Sequence, residues 1–419
     1  MLASTFGTTL EWYDFSLYGL ASALVFGPLF FASSGVGGIL ASFATFAVGF
    51  AARPLGGMLF GNLGDRIGRK RVLIITLLTM GATTTLLGLL PTHAAIGVAA
   101  PILLVLLRIV QGVAAGGEFA SAVLLTAEGA PDRRRGLFAA IPVIGTSLGL
   151  VLASAAFALA SLLPDEQFLA WGWRIPFLLS IVLVIVGTIA RSRVEETPVF
   201  QQMQEEEELA SSPLLAVLRR QPRTVLRAVA VIISSFVWGY MVQTFALTHA
   251  TSDLGVSRPV MLWAIAAAST LSMFTIPLWG WLSDRVGRRP LMIGGSALSA
   301  VYVFPFFALL GSGSVWLVIL AVVIALAVIR DMLLGPQAAM VAEMFGARVR
   351  CSGVSVSREI SGAVFGGTVP LVSTALASVA GGTWPVGVYI AIAALVSIVA
   401  IWLSPETAFD SGDGFGRPG

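Results

Sequence analysis

Apolar runs broken by short polar gaps fill almost the whole chain. Twelve of them can be drawn, at approximately 8–31, 36–60, 72–90, 95–126, 137–163, 171–191, 226–250, 258–280, 291–311, 314–341, 352–380 and 383–403. A helix needs about 20 apolar residues to cross the hydrocarbon core of a bilayer. The pattern therefore predicts an all-α membrane protein of twelve transmembrane helices. The longest polar interruption, 192–225, lies between the sixth and seventh runs and holds Glu205 to Glu208, then Arg219, Arg220 and Arg223. That is the composition of a solvated linker. It divides the chain into an N-terminal six-helix half (1–191), a central linker (192–225), a C-terminal six-helix half (226–403) and a tail (404–419).

The polar gaps repeat. Gly61-Asn-Leu-Gly-Asp65-Arg66-Ile-Gly68-Arg69-Lys70 and Gly280-Trp-Leu-Ser-Asp284-Arg285-Val-Gly287-Arg288-Arg289 share the pattern G-x-x-x-D-R-x-G-R-[KR], about half the chain apart. Glu128 with Arg133, Arg134 and Arg135 after the fourth run is matched by Glu343 with Arg348 and Arg350 after the tenth. Glu196-Thr197-Pro198 after the sixth is matched by Pro405-Glu406-Thr407 after the twelfth. Matched gaps at a nearly constant offset predict two pseudosymmetric halves in parallel repetition, an architecture of secondary transporters.

Hydrophobic residues make up 57% of the chain and charged ones 11%; the mean hydropathy is +0.92. Soluble domains carry about 25% charge, which excludes that class. The net charge of +3 does not point to nucleic acid, because the basic residues follow topology. Most of them fall in the gaps after the even-numbered runs, whereas the odd-numbered gaps hold only Arg174 and Arg258. The positive-inside rule then places both termini and the linker in the cytoplasm, in a cell membrane crossed many times. Met1 to Leu10 lacks the basic start and cleavage site of a signal peptide. Cys351, the one cysteine, excludes an intrachain disulfide framework.

Together with the repeated gap motif, other segments identify the chain as similar to the major facilitator superfamily and, within it, the metabolite:proton symporter family. They are Glu11-Trp12-Tyr13-Asp14-Phe15, Arg53-Pro54-Leu-Gly56-Gly57, Arg108-Ile-Val-Gln111-Gly112 with Gly116-Gly117-Glu118, and Trp173-Arg174-Ile-Pro176-Phe177. The resemblance covers nearly the whole chain. It implies a twelve-helix carrier rather than an enzyme, a monomer, with a proton as coupling ion, no cofactor or metal, and a small polar metabolite as cargo. Members of that family carry shikimate, 2-oxoglutarate, citrate, or proline and betaine. Helix 11 reads Ser357-Arg358-Glu359-Ile360, where several members have Tyr followed by a polar residue, and helix 10 carries Arg330-Asp331.

Charges inside apolar spans are expensive and usually face a cavity or a partner. Nine such residues stand out: Glu11, Asp14, Arg53, Arg108, Glu118, Arg330, Asp331, Arg358 and Glu359. Glu11, Asp14 and Tyr18 share one helical face, as do Arg108, Gln111 and Glu118. His93 and His249 fall at or near the outer ends of their runs, so a carboxylate is expected to carry the proton: Asp14 or Glu118, then Glu11. Each has a permanent structural ion pair as the competing role. Arg53 and Arg108 are expected anchors for a substrate anion, since guanidinium binds carboxylate bidentately, or else helix-pairing partners of Glu11 and Glu118. Tyr18, Gln111, Tyr240, Gln243 and Arg358 complete the expected substrate set.

Arg330-Asp331 and Arg358-Glu359 are expected to pair reciprocally between helices 10 and 11. Trp238 and Trp263 are expected to wall the cavity or, more simply, to pack or anchor at the membrane interface, and Gly145-x-x-x-Gly149 to allow close helix approach. Asp65, Arg66, Arg69, Asp284, Arg285, Arg288, Arg135 and Arg350 are expected to gate, with Asp65 capping a neighbouring helix N-terminus and Gly61, Gly64 and Gly68 permitting a tight turn. Arg69, Lys70, Arg133 and Arg134 also suit a purely topological role. There is no phosphate-binding G-x-x-x-x-G-K-[ST] loop, no Cys/His cluster and no interpretable nucleophile set. The expected function is proton-coupled import of an organic acid by alternating access. Compatible-solute symport, facilitated diffusion, efflux antiport and a membrane-embedded enzyme or sensor remain alternatives.

Overall fold

A computed structural model describes residues 2–31, 35–67, 69–116, 134–192, 217, 219, 221–346 and 349–409. Among them there is no strand, and twelve long helices carry the chain back and forth: α1 (Leu2–Leu24), α2 (Val36–Ile67), α3 (Arg69–Leu89), α4 (Ala99–Ala115), α5 (Arg135–Ala160), α6 (Ile175–Ser192), α7 (Pro222–Ser252), α8 (Arg258–Val286), α9 (Arg288–Leu310), α10 (Val315–Glu343), α11 (Arg350–Ala380) and α12 (Trp384–Trp402). Eight are long and apolar enough to cross a membrane as they stand, and α3, α4 and α6 contain shorter apolar stretches. The remaining one, α1, is diluted by buried Thr8, Thr9, Glu11 and Asp14.

Two departures from the hydropathy pattern have local causes. The first run does not continue to residue 31: α1 stops at Leu24 and a short helix, Phe26–Phe30, follows. Pro28 lacks the N–H that would bond back to Leu24. The repeated D-R-x-G motif, expected in polar gaps, instead forms the last turn of a helix. Backbone helix runs through Gly61 and Gly64 to Ile67 in α2, and through Gly280 to Val286 in α8. The turn after α8 falls on Gly287, whose φ of 108° only glycine adopts without strain.

Packing follows the sequence repeat. In the N-terminal half α1 lies on α5, α2 on α4, and α3 on α6; in the C-terminal half α7 and α9 lie on α12, α8 on α10, and α7 on α11. The α1–α5 contact is close because Gly145 and Gly149 face the α1 backbone. A Cβ on Gly149 would meet the Thr9 carbonyl and the Tyr13 amide at 2.7 Å. The halves meet in symmetric fashion, α2 on α11 and α8 on α5, with α1 against α7 at the centre.

Candidate functional site

Charged side chains collect where the halves meet, and they form three sets. In the first, Arg53 of α2 donates from Nη2 to Glu11 Oε1 on α1 at 2.7 Å, and from Nε and Nη2 to Glu359 on α11 at 2.7 and 3.1 Å. All three residues are buried. Arg358 sits beside this set, its guanidinium within 6 Å of the Trp12 and Phe236 rings. The expected reciprocal pairing of Arg358-Glu359 with Arg330-Asp331 is therefore corrected: Glu359 bonds Arg53 in the opposite half. Residues 358 and 359 are separated by about 100° around a helix, which turns the carboxylate toward α2.

The second set lies inside the N-terminal half. The Arg108 guanidinium stands 4.1 Å from the Tyr18 ring centroid and 4.4 Å from that of Phe15. It donates to Gln111 Oε1 at 2.6 Å, and Gln111 Nε2 donates to Thr84 at 2.8 Å. Asp14 is buried beside Thr84 and within electrostatic reach of Arg108. Tyr18 shares a 2.6 Å hydrogen bond with Thr45. Arg108 Nε and Nη2 are buried without a hydrogen-bond partner among the described residues. The shared face of Glu11, Asp14 and Tyr18 thus packs against α2 and α4. Glu118 lies outside the described residues.

The third set is Arg330-Asp331 on α10. Arg330 donates from Nε and Nη2 to Asp331 Oδ1 at 3.0 and 2.9 Å, and from Nη2 to Ser272 on α8 and Ser147 on α5. Asp331 also accepts from Thr275 at 2.7 Å. Neighbouring residues on a regular helix cannot readily point the same way. Here a π-helical turn, Ile324–Arg330, ends at the pair; α7 and α11 carry similar turns at Met241–Phe245 and Gly362–Gly366. Such turns insert a residue into the helical register and are frequent at functional sites.

Between these sets lies a cavity of about 40 Å³ whose polar lining includes Arg330, Arg358, Tyr240, Gln243 and Gln337, with Trp12 on the facing side. A second space of about 10 Å³ adjoins it at Tyr240 and Gln243. These volumes hold little more than water, so the seam is shut in this conformation. Of the residues expected to bind substrate, Tyr240, Gln243 and Arg358 line the cavity. Arg53, Arg108, Tyr18 and Gln111 stand behind it. Trp12, Arg330 and Gln337 were not singled out as substrate residues; the intramembrane charge marked Arg330, but an apolar helix gives no cue for its π-turn. Trp238 is buried and donates to the Ala325 carbonyl at 2.7 Å, whereas Trp263 is exposed.

Both ends of the seam are tied. On the side of the chain termini, Asp284 at the end of α8 accepts from the backbone N–H groups of Gly136 (2.7 Å) and Leu137 (3.0 Å) at the start of α5. A carboxylate of the C-terminal half therefore caps a helix of the N-terminal half. Arg288 holds Asp284 at 2.8 Å and Glu343 at 3.0 Å. Glu406 accepts the N–H groups of Arg288 and Arg289, and Thr407 bonds Glu343. Glu343 and Glu406 come from the repeated gap signatures but were not among the residues expected to gate. Arg350 donates to the Ala342 and Phe345 carbonyls, Arg285 lies over Trp281, and Arg135 opens α5. The side chains of Asp65, Arg66 and Arg69 lie outside the described residues. At the far end Arg258 pairs with Asp165 at 3.1 Å, and Thr248 bonds the Ala23 carbonyl.

Two six-helix halves that meet on buried charges, balanced among the described residues, and are tied at each end define a multi-pass membrane transporter. Residues 1–224 match the family model described as "Sugar (and other) transporter", and 228–417 that of the Major Facilitator Superfamily. The chain belongs to the major facilitator superfamily and is not an enzyme. It is 40% identical over 412 residues to the shikimate transporter of Escherichia coli (strain K12), covering 97% of this chain and 94% of that protein. It is 34% identical over 417 residues to the proline/betaine transporter of Salmonella typhimurium (strain LT2), covering 97% and 83%. The fold matches a D-xylose-proton symporter at a TM-score of 0.73, with 18% identity and 97% of each chain covered. It matches the partially occluded, inward open conformation of the xylose transporter XylE from E. coli at 0.74, with 18% identity and 98% of each chain covered.

Proposed function

We propose that this transporter is a proton-coupled symporter that imports an organic acid by alternating access. The observation that carries the reading is the cavity at the seam, which is lined by two guanidinium groups, Arg330 and Arg358, and by no carboxylate among the described residues. A guanidinium pair beside the amides of Gln243 and Gln337 suits a carboxylate with further hydrogen-bonding groups. The likeness to the shikimate transporter supports the same class of cargo.

Proton coupling follows from charge balance. Among the described seam residues, Arg53, Arg108, Arg330 and Arg358 are offset by Glu11, Asp14, Asp331 and Glu359, all buried. An entering monoanion would leave a net negative charge in a low-dielectric seam unless a proton entered with it. The proton-accepting carboxylate belongs to this acidic set. We further propose that residues 1–191 and 226–403 rock about the seam, joined by 192–225, as a monomer. The arginine-rich side, with both termini and the 404–419 tail, lies in the cytoplasm. Asp284 and its partners then form the inner gate, with Asp65, Arg66 and Arg69 as the matching elements of the repeat.

The test is external pH in weakly buffered proteoliposomes given shikimate, 2-oxoglutarate, citrate, proline or betaine singly. Alkalinisation by an acid and not by betaine is the expected result. Labelled acid crossing with no pH change would leave a facilitator. A response to betaine alone would favour the compatible-solute reading, for which the stacked rings of Trp12 and Tyr240, centroids 6.4 Å apart, provide a cation-binding surface.

A further inference from the structure

Most of the buried ion pairs lie within one half. Glu11 and Arg53 sit on α1 and α2, Arg288 holds Asp284 and Glu343 of its own half, and Arg330 holds its own neighbour Asp331. Rigid movement of one half against the other leaves each of these intact. A pair that never breaks gives protonation no hold on the conformational change. The contact between Arg53 and Glu359 is different. It is the one ion pair among the described residues of the helix interior that joins α2 of one half to α11 of the other.

Resting on the symport reading, we infer that Glu359 is the coupling carboxylate, and that it exchanges Arg53 for either Arg358 or a proton each time the seam opens toward the termini. The groups facing it are few. Arg53 approaches from α2, its Nη2 shared between Glu359 and Glu11 of α1 and its Nε given to Glu359 alone. Arg358 precedes it on α11 and lies within its electrostatic reach, as does Tyr240 of α7 within that of the same cluster. Arg330 of α10 lines the cavity that Arg358 also lines.

Separation of the halves leaves Arg53 with Glu11 and takes Glu359 away with Arg358. In the unloaded carrier Arg358 neutralises Glu359, both pairs are balanced, and the return step needs no proton. With a substrate carboxylate on Arg358, and Arg330 already held by Asp331, Glu359 is left without a balancing cation from the seam residues of its own half. A bare carboxylate in the membrane interior is too costly to form, so the loaded carrier opens only with a proton bound to Glu359. That proton comes from the far-side water as substrate enters. It leaves on the terminal side after substrate departs and Arg358 recovers the carboxylate. One proton and one negative charge cross together, and the only bond made and broken is the O–H of Glu359.

The test compares wild type, E359Q and E359D in proteoliposomes, using the acid of the preceding panel that alkalinises the wild type, with shikimate as the first probe. Glutamine imitates the protonated carboxyl, so loaded exchange of labelled acid proceeds without proton movement while the unloaded return leaves Arg358 unpaired. The expected result is that E359Q lowers proton-driven accumulation by at least about tenfold more than it lowers exchange, a typical size for a lost coupling. E359D, which keeps a carboxylate, restores proton movement and also reports that the site folds. Proton uptake per acid by E359Q equal to that of wild type would overturn the inference. So would equal losses of exchange and accumulation in E359Q, which mark a purely structural pair. A wild type that carries labelled acid without protons fails before any variant is made, and that outcome removes the symport reading itself.

Discussion

Asp284→Ala should release the terminal end of the seam. Asp284 accepts two backbone N–H groups of the opposite half, at 2.7 and 3.0 Å. Its third partner, Arg288, belongs to its own half and stays with it in any conformation. Only the two backbone bonds therefore bias the equilibrium between closed and open. Hydrogen bonds to a charged acceptor contribute roughly 1.5–3 kcal/mol each. Loss of both, discounted for partial hydration at the helix end, shifts the equilibrium by about 2–4 kcal/mol, or roughly 30- to 900-fold. Asp284→Asn keeps one acceptor oxygen and should show about half that free energy.

Thiol accessibility reads this shift directly, because Cys351 is the chain's one cysteine. With Cys351→Ser as background and Thr146→Cys placed in the cavity lining, a membrane-impermeant maleimide applied from the terminal side labels only the open state. Asp284→Ala should raise the labelling rate by at least about thirtyfold, the figure for a shift of about 2 kcal/mol. A rate unchanged from the parent would refute the reasoning, since it would mean that the cap does not hold the seam shut.

Other perturbations follow from the same geometry. Arg53→Gln leaves Glu11 and Glu359 without their shared cation and should destabilise the purified protein by about 3–5 kcal/mol, the usual cost of breaking a buried pair; thermal unfolding in detergent should show it, with partial recovery in the Arg53→Gln, Glu359→Gln double variant. Arg358→Gln should weaken acid binding by roughly tenfold or more, the size of a lost charged hydrogen bond, measured by calorimetry with shikimate. Gly149→Val should lower the unfolding temperature and abolish uptake, because even a Cβ there would meet α1 backbone at 2.7 Å.

Arg174 illustrates a motif legible in the sequence whose job was not. The Trp173-Arg174-Ile-Pro176 segment supported the family resemblance, yet Arg174 caps the end of α3 by donating to the Gly88 and Leu90 carbonyls. The Pro176 carbonyl accepts from Tyr13 of α1 at 2.7 Å. Both roles depend on which helices become neighbours, which a motif does not state. The small glycines of α5 were legible for a different reason: an apolar helix with Gly at four-residue spacing has little use for it other than close approach.

The sequence by itself determined the all-helical membrane class, the two halves and the inventory of interior charges. A bilayer sets the length of each apolar run, and any charge inside a run has to find a partner or a cavity. Tertiary structure decided the pairing. Glu359 and Arg53 lie 306 positions apart and meet at 2.7 Å, while Arg330 turns to its own neighbour. Hydropathy is blind to this, because a π-helical turn in a run of Ala, Ile, Leu and Val rotates everything after it without altering the apolar pattern. The rotational phase of each helix, fixed only when all twelve pack, determines which charge meets which.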